Sequence, residues 1–141
     1  MKTTITSFIA LTLAVNIFAE GSKAPPTATT AFMKNPQKSG LKLSGAGNLH
    51  AGQHGLLLVA ENGGSIVAID TKDTGPFKAV KPVKNLSAKI AGAIGTTAGK
   101  ITINDLKANP ETGTVYISVG RSDGISAIIT LNASGKLAAL D

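Results

Sequence analysis

One pattern occurs twice in this chain, and it dictates sheets. Leu56-Leu57-Leu58-Val59-Ala60 is separated by a turn around Asn62-Gly63-Gly64 from Ile66-Val67-Ala68-Ile69. Asn and Gly accept the positive φ that tight hairpin turns demand, so this stretch predicts two antiparallel strands. Neither run alternates polar with apolar residues, so each strand carries two apolar faces and the hairpin needs cover on both sides. Further along, Ile101 to Asn109 reads as a strand, Pro110 to Gly113 as a turn, and Thr114 to Gly120 as a second strand. Arg121 to Gly124 reads as a loop, Ser126 to Leu131 as a third strand, and Asn132 to Lys136 as a turn before Leu137 to Leu140.

Setting Gly55 against Gly113 aligns Leu58 with Tyr116 and Val59 with Ile117, an internal offset of 58 residues. Two copies of a four-stranded antiparallel meander are the simplest account, which makes the chain all-β. In the first copy the outer strands are expected over about Leu41 to Ala51 and Phe77 to Val83, where Gly45, Gly47, Pro76 and Pro82 weaken the pattern. Between the copies, Leu86, Ile90, Ala93 and Ile94 fall at helical spacing before Gly95. Residues 84–97 are therefore expected to hold a short amphipathic helix packed on the sheet edge.

The other end of the chain reads as an address. Lys2 precedes an apolar stretch, including Phe8, Ile9, Leu11, Leu13, Val15, Ile17 and Phe18, that ends at Ala19. Residues 1–19 are expected to be a secretory signal, because the stretch is shorter than the ~20 residues of a bilayer span. The expected location is periplasmic or extracellular. Residues 20–40 hold three prolines and few large apolar side chains, so a linker or mobile arm is expected there, followed by the sheet domain over 41–141.

Composition then removes whole classes of chemistry. With no cysteine among 141 residues, a disulfide scaffold, a thiolate metal site and a thiol nucleophile are excluded. The formal net charge is +6. Its lysines are scattered singly beyond the signal, Arg121 is the lone arginine, and only Phe32, Phe77 and Tyr116 follow as aromatics. Nucleic-acid surfaces cluster arginine and stacking platforms, so no nucleic-acid partner is expected. The charge reads as solubility first, with attraction to an acidic envelope polymer or anionic lipid as a second role.

The stretch Ile103-Asn104-Asp105-Leu106-Lys107-Ala108-Asn109-Pro110-Glu111-Thr112-Gly113-Thr114-Val115-Tyr116-Ile117-Ser118-Val119-Gly120 resembles the blade pattern of exported bacterial β-propellers of the NHL and gluconolactonase-like kind. The likeness covers about residues 45–141 and implies architecture rather than chemistry. It implies two blades, about 41–83 and 100–141. A propeller closes with about 4 to 8 blades of ~40 residues, so two blades form an incomplete ring. Such a chain is a truncated piece of a longer propeller, a protomer that closes by self-association through its unpaired sheet edges, or a small β-sandwich that binds a surface polymer. Asp141 follows directly on Leu137 to Leu140, which favours the first option.

Candidate chemistry is sparse. His50 and His54 stand four apart and, with Glu61 or Asp70 brought near by the hairpin, would give three ligands to zinc or another divalent ion. Asn104 and Asp105 on a strand near the start of the second blade, and Arg121 in the loop after it, are the candidate ligand-binding residues. For Asp105, hydrogen bonding to backbone is the competing role. The phosphate-loop spacing fails at Ile94, Gly45-Ala46-Gly47 lacks the third glycine of a dinucleotide fingerprint, and no Gly-x-Ser-x-Gly elbow exists. No resident cofactor and no catalytic set are expected. The reading is an exported propeller-like module that binds an envelope component or acts as a scaffold, and the runner-up is the N-terminal piece of a metal-dependent propeller enzyme.

Overall fold

The computed structural model describes residue 33 and residues 40–141, so the expected signal segment lies outside the described residues, as does most of the expected arm. Sheet 1 is a meander of β1 (Leu49–Ala51), β2 (Leu56–Ala60) and β3 (Ile66–Asp70). Sheet 2 is a meander of β4 (Ile101–Ala108), β5 (Val115–Arg121), β6 (Ser126–Leu131) and β7 (Leu137–Ala139). Every neighbouring pair is antiparallel. Helix α1 (Leu86–Ala93) and a 3-10 turn (Ala98–Lys100) connect the two sheets. The described chain is thus mostly β.

The strands that are apolar on both faces explain the layering. In β5, Tyr116 turns to one side and Ile117 and Val119 to the other, and all three are buried. On the first side Tyr116 and Ile128 pack with Ala46, Leu49, Leu57 and Val59 of sheet 1. On the second side Ile117, Val119, Ile129 and Leu131 pack with Ile90 of α1, flanked by Val80, Val83, Leu86 and Ile94. Sheet 2 is therefore the middle layer between sheet 1 and α1. Each fully buried aliphatic side chain of this kind is worth about 1.5–3 kcal/mol, so these two apolar clusters hold the stack together.

Three expectations change. The first meander has three strands rather than four, and its opening strand is only Leu49–Ala51. Phe77 to Val83 does not join sheet 1. Pro76 and Pro82 have no N–H to give a ladder, the Lys78 N–H donates to the Thr112 carbonyl (2.9 Å), and Val80 and Val83 turn into the core beneath sheet 2. The helix, found within the expected 84–97, packs on the face of sheet 2 rather than on its edge, because Ile90 completes that apolar layer. Among the described residues the central strands of sheet 2 are covered on both sides, whereas sheet 1 carries the exposed Ile66 on its outer face.

The crossing segment runs close to the turn before β5. Gly113 there has φ of 82°, and a Cβ at this position would run into the Lys78 carbonyl oxygen. Both the backbone conformation and the close approach demand glycine.

Candidate functional site

Side-chain hydrogen bonds tie the second repeat to the first at two seams. The first begins at a β-bulge in β4, where the pairing with β5 shifts between Ile103 and Asp105. The extra residue re-aims its neighbours, as bulges do. Asn104 Nδ2 donates to the Ala46 carbonyl (2.6 Å), and Asp105 accepts from the Leu49 N–H (2.8 Å) and from the Leu106 N–H (2.8 Å). The fully buried Ser118 hydroxyl donates to the Gly47 carbonyl (2.7 Å). The Leu49 and Leu106 amides hold the Asp105 carboxyl below its ordinary pKa. Asn104 and Asp105, expected to face a ligand, instead pin the backbone of residues 46–49 onto sheet 2.

The second seam centres on Asp73, in the segment that leaves β3. Its carboxylate accepts from Thr112 Oγ1 (2.7 Å), Asn109 Nδ2 (2.8 Å), Tyr116 OH (2.9 Å) and Thr114 Oγ1 (3.2 Å). Thr112 and Thr114, in the turn before β5, and Tyr116 on β5 all turn toward Asp73. Asn109 is 1% exposed and also closes the turn: its Oδ1 accepts from the Glu111 N–H (2.9 Å) and its carbonyl from the Gly113 N–H (2.8 Å). Burial pushes the Asp73 pKa up, yet the four donors outweigh it and leave the group below its ordinary value. Burial, with the Asp73 carboxylate beside it, raises the Tyr116 hydroxyl well above its ordinary value.

Beside this seam lies an open concavity of about 420 Å3, with Asp73, Lys78, Thr112, Thr114 and Ser134 in its lining. Asp73 and Thr112 are spent on one another, and Ser134 Oγ donates to Asn132 Oδ1 (2.6 Å). The arrangement positions layers; it assembles no nucleophile, base and orienting group in one place.

The expected metal ligands are not brought together as a set. His50 is exposed on β1 opposite Leu58. His54 lies in the β1–β2 loop with φ of 55°, its N–H donating to Glu111 Oε2 (2.9 Å) and its Nδ1 3.9 Å from Glu111 Oε1. Glu61 accepts from Ser65 and from the Ser44 N–H, which lower its pKa in that order, and Asp70 pairs with Lys72. Among the described residues no three His, Asp or Glu side chains converge.

Arg121 joins the loop after β5 to the end of α1. Its Nη1 donates to the Ile94 carbonyl (3.0 Å) and its Nη2 to Asp123 Oδ2 (2.7 Å). A cation at the carbonyl end of a helix is favoured by the helix dipole. No helix of the described residues is long and apolar enough to cross a membrane.

The Asp73 cluster was missed by the sequence reading. The signal was present in the hydroxyls at every second position, Thr112, Thr114 and Tyr116, but their partner lies in a loop 43 residues before Tyr116. Comparison with protein-family models, with curated proteins and with solved structures gives no match.

Proposed function

We propose that this chain is an exported β-propeller-like module with a binding or scaffolding role and no catalysis of its own, built from two successive blade-like repeats. One observation carries the reading. The internal offset of 58 residues aligns Ala60 with Ser118, so Ile66, the cross-strand partner of Ala60, corresponds to Ile128, the partner of Ser118. Ile128 is 0% exposed beneath sheet 1, whereas Ile66 is 71% exposed on the same side of its own sheet. With Leu58 and Ala68, Ile66 lies on the face of the first repeat that corresponds to the face by which the second repeat docks, and among the described residues no layer packs on it.

The blade-like phrase supports the same reading, because Asn109, Tyr116 and Ser118 within it make the bonds that tie one repeat to the next. Catalysis is left out because the carboxylates at both seams are engaged in holding layers. Export rests on Lys2 and the apolar run to Ala19. Helix α1 occupies the position where a third sheet would stack, so head-to-tail growth lacks a second contact face. A single free face closes by two-fold pairing, and the occupant assigned to it is the same face of a second copy.

Sedimentation equilibrium of the full chain and of Ile66→Lys tests this. The expected result is a concentration-dependent dimer that the lysine weakens by about tenfold or more, through a charge placed in an apolar contact. A chain that stays monomeric at every concentration, or a variant that pairs as well as the parent, contradicts the proposal.

A further inference from the structure

The positive charge of the described body is concentrated on one side. From Thr74 to Asn104 the chain carries five lysines, Lys78, Lys81, Lys84, Lys89 and Lys100, and no carboxylate. Over the rest of residues 40–141, five cations stand against seven carboxylates. Residues 77–94 of this basic segment form the layer that covers sheet 2, with Val80, Val83, Leu86, Ile90 and Ile94 turned inward, and Lys100 ends the 3-10 turn that leads into β4. All five lysines are exposed. Among the described residues the lysine and arginine ion pairs are Lys72 with Asp70 and Arg121 with Asp123, so none of the five is in an ion pair, and Lys78 shares the concavity of Asp73. Phe77, at the start of the layer, is 63% exposed.

We infer that this covering layer is an electrostatic docking face for the surface of an anionic lipid bilayer. The lysines are spaced singly along an outer surface, and no arginine fork is among them to grip one phosphate in two places. Compact ammonium groups arranged in this way respond to a plane of diffuse negative charge, each adding a similar increment near the surface. Phe77 adds an apolar contact at headgroup depth. The remainder of the body is net negative, so repulsion turns it away and the layer faces the bilayer. Because the layer and the open face of sheet 1 lie on opposite sides of sheet 2, docking here stands independently of pairing there.

The test is co-sedimentation of the full chain with phosphatidylcholine vesicles, with and without phosphatidylglycerol. Three proteins are compared: the parent, the quadruple variant K78Q/K81Q/K84Q/K89Q, and the control K42Q/K107Q/K136Q. Any partitioning through residues 1–39 is common to all three and persists on neutral vesicles. The expected result is binding that requires phosphatidylglycerol, weakens in high salt, and falls by about fivefold for each lysine removed from the layer. The control changes far less, and all three unfold at similar temperatures because the substituted side chains are exposed. Equal losses in both variants, or binding indifferent to lipid charge, overturns the inference. So does retention on soluble polyglutamate without binding to the anionic vesicles, which would reassign the face to an acidic polymer.

Discussion

Replacing Asp73 by alanine tests whether the second seam holds the layers together. The carboxylate receives four donors, and two of them belong to residues almost wholly buried, Asn109 at 1% and Tyr116 at 2% exposure. A buried donor left without a partner costs about 1–3 kcal/mol. The Thr114 hydroxyl borders the open concavity and turns to water, and the Tyr116 hydroxyl keeps its contact with Thr71 (3.0 Å). These retained partners reduce the total to about 3 kcal/mol, in a body of roughly 100 residues whose whole stability is on the order of 5–15 kcal/mol. The matching fall in Tm is about 12–24 °C. Urea and thermal unfolding followed by circular dichroism measure it. The pH dependence gives a second readout: the folded pKa of Asp73 lies below its unfolded value. Its contribution is complete above the unfolded value of about 4 and fades as pH falls through the folded pKa. The parent therefore loses stability on acidification and Asp73→Asn loses less. A loss under about 1 kcal/mol for Asp73→Ala, with acid profiles unchanged, refutes the role given to this carboxylate.

Ile90→Ala opens the layer over the far face of sheet 2 and is expected to cost about 2–5 kcal/mol in chemical denaturation, since the side chain is fully buried. Gly113→Ala combines a positive φ with a collision against the Lys78 carbonyl. A loss of at least about 2 kcal/mol is expected, and it is not relieved by trimming Lys78 to alanine because the obstacle is backbone. Asn104→Ala releases the Ala46 carbonyl at the first seam. The expected cost is about 1 kcal/mol, with faster amide exchange over residues 46–49 than over β6.

Much of the fold was legible because local chemistry and tertiary need coincide there. Asn62, Gly63 and Gly64 make a turn whatever surrounds them, and β6 lies over Ser126–Leu131 as its apolar run implies. The hairpin of β2 and β3, expected to be covered on both sides, is covered on one, with Ile66 exposed on the other, and it is β5 and β6 of sheet 2 that are buried on both faces. Where the reading failed, the answer lay in long-range geometry. Phe77 to Val83 has strand-like residues, but Pro82 within it and Pro76 before it give no N–H to a ladder, and its valines find a better place beneath sheet 2. The spacing of Leu86 and Ile90 announced a helix without saying which surface would receive it. At the site, Asn104 and Asp105 were marked by polarity on a strand, and only the bulge and the nearness of Ala46 and Leu49 reveal them as pins between sheets. Asp73 carried no local mark, since its donors come from another repeat.

In the proposed module Ile66 and Ile128 hold equivalent positions in the two repeats, Ile66 exposed and Ile128 buried within a single copy. The chain has no cysteine, so Ile66→Cys and Ile128→Cys each give a single thiol whose reaction with a maleimide or a disulfide reagent reports cover directly. Ile66→Cys is expected to react as fast as a free thiol in dilute solution and to be progressively protected as concentration rises, while Ile128→Cys is protected throughout. Equal reactivity at the two positions, or protection of Ile66→Cys in the dilute monomer, would contradict the proposal.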